Sequence, residues 1–556
     1  MPADFEANPD SREDASRLLR SPWMWAGVFA AGVTMLGAFA LIAERDKRVA
    51  REAFDKALAD YRAAGLPDPF VAPKAPASVP TAAQGNLLFA PVFDGLCVIR
   101  RGSGRYASFS MNENAAIRAK ADDVGHFIFS APGAPFWAFD PAAHFANKSK
   151  LSRLVAAPRP GELPNRAFIT TLESEFPELK SLAQIESSHP LAVSPAPEWS
   201  VFDFFGMPMP EFKSARATGF VLTAYAGCKA LEGDGAPAAA AVCGLARHFE
   251  ATGAKEGQML VSTMIDVVIA KLAIPRLTHG AIREGVWTDE QLRRVCDCLG
   301  RVRFKQAVDA AVSNEIRSSV FALKGVWEKD PEALRWADQL ASLGFSESPE
   351  WQDALREPGV RRTGEALLRF LLHQAQTRNA AGQIDVAKRV AYADAVALHS
   401  DSPSNAYLYM LVPAYQKVLA NAAIADAQVS LARLACALEL YRRAHGAYPE
   451  KLDALVPAYL PALPVSPWVG GTLEYVVTPA GYTLTWPKAD YYDTGLGGVR
   501  VEVKHPGPWD VFGYEIKLPP RVRWFDTRTV TTTTAIPKDI VWTMPAPKDS
   551  RTAESK

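Results

Sequence analysis

Six cysteines are the side chains with the clearest potential for chemistry: Cys97, Cys228, Cys243, Cys296, Cys298 and Cys436. Six in 556 residues are too few for a disulfide scaffold. Cys228 and Cys243 flank the turn "EGDGAP" almost symmetrically, on two expected antiparallel helices. In an oxidising compartment they can bridge if their Cα atoms come within about 7 Å; the other reading is two buried small side chains. Cys296-x-Cys298 falls on an expected helix, where i and i+2 point to different faces. No second Cys pair or His cluster completes a zinc set, and the nine histidines are scattered. There is no Gly-x-Ser-x-Gly elbow, phosphate loop or His-Glu-x-x-His. His445, at an expected helix end, fits a favourable C-terminal charge better than a catalyst. These motifs name no catalytic residue and no cofactor. A triad assembled in space stays open, because its members need not be neighbours in sequence.

The elements that position these groups start with composition. The chain carries 61 basic and 61 acidic side chains, so it lacks the basic excess that nucleic-acid binding needs. Its hydrophobic share of 48% is globular, and its length fits two to four domains. Residues 22–43, "PWMWAGVFAAGVTMLGAFALIA", hold no charge. At 1.5 Å per residue such a helix reaches roughly 33 Å, enough for a hydrocarbon core of about 30 Å. Trp23 and Trp25 sit at one end, where indoles favour the interface. A cleaved signal peptide is the rival, given Ala38-Phe39-Ala40, but the run exceeds the usual h-region. The expected arrangement is a 1–21 tail, a 22–43 transmembrane anchor and an exported C-terminal part. Basic residues flank both ends, so the charge rule alone does not orient it.

Beyond the anchor, 44–65 reads as a charged juxtamembrane helix ended by Gly65. Residues 66–85 form a Pro-rich linker expected to hold the next domain off the bilayer. Residues 86–210 mix short strand-type runs with loops. Residues 211–404 are helical: Pro237 suits the first turn of one helix, and Thr288-x-x-Gln291 is a capping-box pattern opening another. Asp266 and Lys271 mark "GQMLVSTMIDVVIAKLAI" as a core helix rather than a second span. In 405–500, Ile424, Ala427, Leu431, Leu434, Leu438 and Tyr441 recur at helical steps and define one apolar stripe. Gly446 and Pro449 end that helix, and a hairpin turning near Ala480-Gly481 follows. Residues 501–556 read as a β-strap, including "DIVWTMP", and a disordered tail.

The order "LELYRRAHGAYP", "LDALV", "YLPALPVSPWVG", "LEYVV", "GYTL" and "DTGLGG" resembles the globular part of major pseudopilins of type II secretion systems. It covers roughly Leu411 to Gly498, under a fifth of the chain. The resemblance implies a long helix packed on a small antiparallel sheet, and a calcium loop after the strands, where Asp490 and Asp493 would supply oxygen ligands. An ordinary polar turn is the competing reading, since Ser466 replaces an acid of the family's "DPWG". The chain also departs from the family in having no prepilin-peptidase site, and its apolar span lies far upstream of the helix.

The expected fold class is therefore α+β, mainly helical. It comprises an N-terminal transmembrane helix, a helical ectodomain and a C-terminal pseudopilin-like long helix with a small antiparallel sheet. The expected function is a non-enzymatic interaction or assembly component of a bacterial envelope. It would be single-pass in the inner membrane through residues 22–43, exported to the periplasm, and partnered by other envelope proteins rather than nucleic acid. Two rivals stand beside it. One is an exported hydrolase with a pocket between the α/β and helical regions. The other is a pilin-like subunit polymerising through the Pro413–His445 helix, which needs its apolar stripe exposed.

Overall fold

The computed structural model describes residues 22–70, 84–93, 98–101, 108–111, 129, 134–146, 155–193, 211–253, 260–331, 333–335, 357–378, 384–386, 388–389, 406–465, 472–479, 481–487, 500–501, 530–531 and 540–545. Eleven α-helices are used below. In chain order they are α1 (Pro22–Ala63), α2 (Pro141–Ala146), α3 (Pro164–Glu175), α4 (Ile185–Ser188), α5 (Glu211–Leu231), α6 (Ala236–Thr252), α7 (Leu260–Arg283), α8 (Asp289–Leu299), α9 (Phe304–Trp327), α10 (Glu357–Gln376) and α11 (Ala406–His445). Strands β1 (Val98–Arg101) and β2 (Ser108–Met111) form an antiparallel pair, as do β5 (Arg500–Val501) and β6 (Val530–Thr531). A three-stranded antiparallel sheet has the order β3 (Glu474–Thr478), β4 (Gly481–Trp486), β7 (Ile540–Pro545).

The axis of the molecule is α11. The sequence pattern predicts one apolar stripe, yet most residues from Val418 to Leu440 are buried, on more than one face, and none is exposed. The reason is composition. Ala422, Ala423, Ala425, Ala427, Ala432, Ala435 and Ala437 present little bulk, so α7, α8 and α9 can close around several faces of the helix. The stripe is covered by the chain's own helices and is not open for stacking on a second copy. Glu439, on the polar side of the expected pattern, is also buried, and it holds Arg442 and Arg443 through hydrogen bonds of 2.8–2.9 Å. Arg443 passes this anchoring on to the Trp287 carbonyl and Asp289 at the start of α8.

Several helix starts are secured by acids from other helices. Asp426 of α11 accepts from the Phe304 and Lys305 amides at 2.8 and 3.2 Å, which caps α9. Glu315 of α9 accepts from the Leu260 amide at 2.8 Å and caps α7. The capping box at Thr288 and Gln291 forms as its sequence pattern predicts. α7 is a buried core helix whose Asp266 meets His248 and Thr252, and whose Lys271 donates to Asn421 at 2.7 Å. It runs past Pro275 to Arg283.

At the C-terminal end, Gly446 adopts φ 80°, the left-handed cap that releases the chain from α11. Tyr475 donates to the Pro449 carbonyl at 2.9 Å, tying the exit turn to β3. The hairpin register pairs Thr478 with Gly481. The strap residues 540–545 become a true third strand, with β4 in the centre. Tyr482, Leu484 and Trp486 of β4 and Ile540, Trp542 and Met544 of β7 face the core. "TVTTTTA" and the tail beyond 545 lie, wholly or mostly, outside the described residues.

The largest departure from expectation concerns α1. Residues 44–63 are helical, as the sequence predicts, but they also pack on the folded body. Ala50, Phe54, Ala57, Leu58 and Tyr61 are buried at helical steps against α10. Phe54 packs edge-on to Trp327 at 4.9 Å, and a Cβ at Gly364 would lie 2.8 Å from its ring. Asp46 pairs with Arg362. The first linker residues are docked as well: Arg62 pairs with Asp68 at 2.7 Å, and the Asp68 carbonyl accepts from Arg317. Residues 66–70 are thus docked on the helices, with Phe70 half-buried, and residues 71–83 of the expected linker lie outside the described residues. Residues 86–93 and 155–193 also pack on the helices, with Asn86 bonded to Val193 in both directions and Phe93 against Gly244. One continuous core runs from Phe54 to Met544. Among the described residues, no helix is long and apolar enough to cross a membrane. The side chains of residues 22–39 lie outside that description.

Candidate functional site

A cluster of two thiols and a carboxylate forms where three helices meet. Helices α6 and α8 start side by side, because the Trp287 indole donates to the Gly235 carbonyl at 2.9 Å. At 1.5 Å per residue, Cys243 lies about 12 Å along one helix and Cys298 about 16 Å along the other. The two sulfurs therefore reach similar heights on facing surfaces. Glu186, on the short helix α4, completes the group. One ligand atom from each of Glu186, Cys243 and Cys298 lies within 4.8 Å of the other two.

The surroundings are cationic. Arg294 Nε stands 3.2 Å from Glu186 Oε2, in ion-pair range. Arg301 donates to Cys298 Sγ at 3.5 Å and pairs with Glu250 at 3.1 Å. Arg247 is held nearby by the His189 and Pro190 carbonyls. Cys243 shares its proton with Cys298, and this bond, with burial, holds the Cys243 thiol well above its ordinary pKa. The same bond, helped by Arg301 and Arg247, pulls Cys298 down. Burial raises Glu186, against the opposing pull of Arg294 and Arg247. Cys298 is thus the more readily ionised thiol of the pair and Cys243 the proton donor.

Cys228 and Cys243, the pair singled out by spacing, are both free thiols. Cys243 turns instead to Cys298, because α6 packs against α8 as well as α5. Cys228 is a buried thiol pushed up by desolvation. Cys296 faces the Arg433 and Tyr459 carbonyls, and Cys436 is fully buried in α11. Sequence reasoning missed Glu186 and Cys298. The i, i+2 rule does separate Cys296 from Cys298, but nothing local joins Cys298 to Cys243. Asp490 and Asp493, the implied calcium ligands, lie outside the described residues.

A second feature is a cavity of about 170 Å³ between the loop carrying Trp137 and Asp140 and helix α7, lined also by Arg276, His279 and Glu284. It sits where the hydrolase alternative places a pocket. Small-molecule sites usually offer roughly 300–1,000 Å³, so this one is undersized. His279 is also committed. It stacks on Trp137 at 4.0 Å, and its Nε2 donates to the Thr543 carbonyl at 3.0 Å, so Nε2 carries the ring proton. Burial drops its pKa to about 4, which keeps it neutral at physiological pH. The buried set His248, Asp266 and Thr252 contains triad residue types, but the hydroxyl donates to the carboxylate at 3.0 Å. In a nucleophile triad the hydroxyl meets the imidazole instead, so this set reads as a core network.

Compared with known proteins, the chain matches no family model, no curated protein and no solved structure.

Proposed function

We propose that the chain is a non-enzymatic interaction or assembly component of the bacterial envelope. It is anchored in the inner membrane by residues 22–43 and exported beyond them. The observation that carries this reading is the continuity of α1. One 42-residue helix joins the uncharged stretch to the segment buried against α10. Leu41 and Ile42, just before the packed segment, are 74% and 63% exposed, an arrangement that suits a lipid or interfacial boundary. The body would then sit against the bilayer, held at a fixed angle, rather than on a flexible tether. Such rigid attachment serves a docking or scaffolding role.

The order of α11, the Gly446 turn and the β3–β4 hairpin supports reading 405–500 as a pseudopilin-like module. The burial of α11 argues against polymerisation through that helix. Relation to secretion or surface structures rests on this module alone.

The test is made in membranes. Carbonate extraction should leave the full chain in the pellet, and deletion of 22–43 should release it. A reporter active only in the periplasm should work when fused after residue 545. Crosslinking in intact cells should shift the chain into a defined larger species. Recovery of the full chain as a soluble, uncrosslinked monomer refutes the reading.

A further inference from the structure

We propose that Cys243 and Cys298 form a redox-active pair that closes to a disulfide bolting α6 to α8, with Glu186 as the group that receives the Cys243 proton. This goes beyond the proposed envelope role, which decides only whether the bridge persists in the cell.

Geometry carries the argument. The two sulfurs and the carboxylate lie within 4.8 Å of one another on three separate elements. Staggered rotation about Cα–Cβ moves a sulfur by ångströms, so a gap of this size can close by side-chain movement. The charges around the site discriminate between two uses of such a cluster. A structural zinc site takes four donors, and among the described residues this one supplies three. Arg294, Arg301 and Arg247 already crowd it with positive charge, which opposes a divalent cation. The same guanidiniums favour a thiolate, the species that attacks a disulfide. Cys298 is the less deeply buried residue, 6% exposed against 0% for Cys243, so the attack starts from its side.

The reaction balances with a low-molecular-weight disulfide, RSSR, as oxidant. The Cys298 thiolate attacks one sulfur of RSSR, the S–S bond breaks, and RS⁻ leaves with the proton Cys298 had lost. Cys243 passes its proton to Glu186 and attacks the Cys298 sulfur, expelling a second RS⁻ that takes up that proton. Two protein thiols are oxidised, one disulfide is reduced to two RSH, and Glu186 ends as it began.

The experiment uses the purified full chain and oxidised glutathione at neutral pH. Thiols are then blocked with N-ethylmaleimide under denaturing conditions. Digestion with trypsin and a protease cutting before aspartate separates Cys296 from Cys298, since Asp297 lies between them. The expected result is a Cys243–Cys298 linked peptide with both thiols lost together, while Cys228, Cys296 and Cys436 remain alkylated. Glu186→Gln should slow closure several-fold without preventing it, a kinetic effect that a merely structural carboxylate would not produce. Cys296→Ser should leave closure unchanged. Alkylation of both Cys243 and Cys298 after oxidation overturns the proposal. So does a Cys228–Cys243 link, or one equivalent of zinc that protects the two thiols until a chelator is added. Because the assay is run on purified protein, its failure leaves export untouched, and failed export leaves the bridge chemistry standing.

Discussion

Phe54→Ala tests whether the helix leaving the apolar stretch belongs to the folded body. Phe54 is 2% exposed, lies edge-on to Trp327 at 4.9 Å and 72°, and fills the space left by Gly364. An aromatic ring buries roughly 150–250 Å². At about 25 cal/mol per Å² the lower figure gives ~4 kcal/mol, and the methyl that alanine keeps reduces this to ~3. The edge-to-face pair adds about 0.5–1.5 kcal/mol. The total of about 3–5 kcal/mol agrees with the usual cost of truncating a core Phe. For a large body, at the lower end of about 2 °C per kcal/mol, this is a fall in Tm of ~6–10 °C. The assay is thermal unfolding of the full chain in detergent, with hydrogen exchange read over residues 50–63. Leu41→Ala, at an exposed site, is the control and should shift stability by less than about 0.5 kcal/mol. If Phe54→Ala matches that control, and residues 50–63 exchange freely in the native chain, α1 is a stalk and the packing argument fails.

Three further outcomes follow from buried polar groups. Burial raises Glu315 from 4.5 to about 7, so between those values the folded chain binds more protons than the unfolded one, and stability falls as pH rises through this window. Glu315→Gln keeps an acceptor for the Leu260 amide and should flatten that slope in denaturant titrations at pH 4.5 to 8. Glu439→Ala should cost about 1.5–3 kcal/mol in urea unfolding, because it removes charge-assisted hydrogen bonds to the partly exposed Arg442 and Arg443 while Arg443 keeps Asp289. Tyr482→Phe should be neutral, or stabilising by up to ~1 kcal/mol, because the buried Tyr482 hydroxyl has no hydrogen-bond partner among the described residues.

What the sequence determined by itself is local punctuation. Thr288 and Gln291 were readable as a capping box, Gly446 as a left-handed stop, Pro237 as a first-turn proline, and the chain just before Gly481 as the reversal of a hairpin. Each depends on sterics or hydrogen bonds spanning a few residues, so the residue types nearly suffice. The uncharged run 22–43 is legible for the same reason, because its composition alone carries the signal. Partner choice was decided only in three dimensions. Cys243 has α5 and α8 as neighbours, and no local rule says that its sulfur meets Cys298 rather than Cys228. Glu186 enters the cluster from a four-residue helix that no periodicity announces. The alanines of α11 look like weak members of one stripe until α7, α8 and α9 close around them. The periodicity of 44–63 cannot say whether its apolar face meets water or α10. In every such case the sequence names a face to be covered, and tertiary packing selects what covers it, because burial energy is non-directional and shape complementarity between distant elements makes the choice.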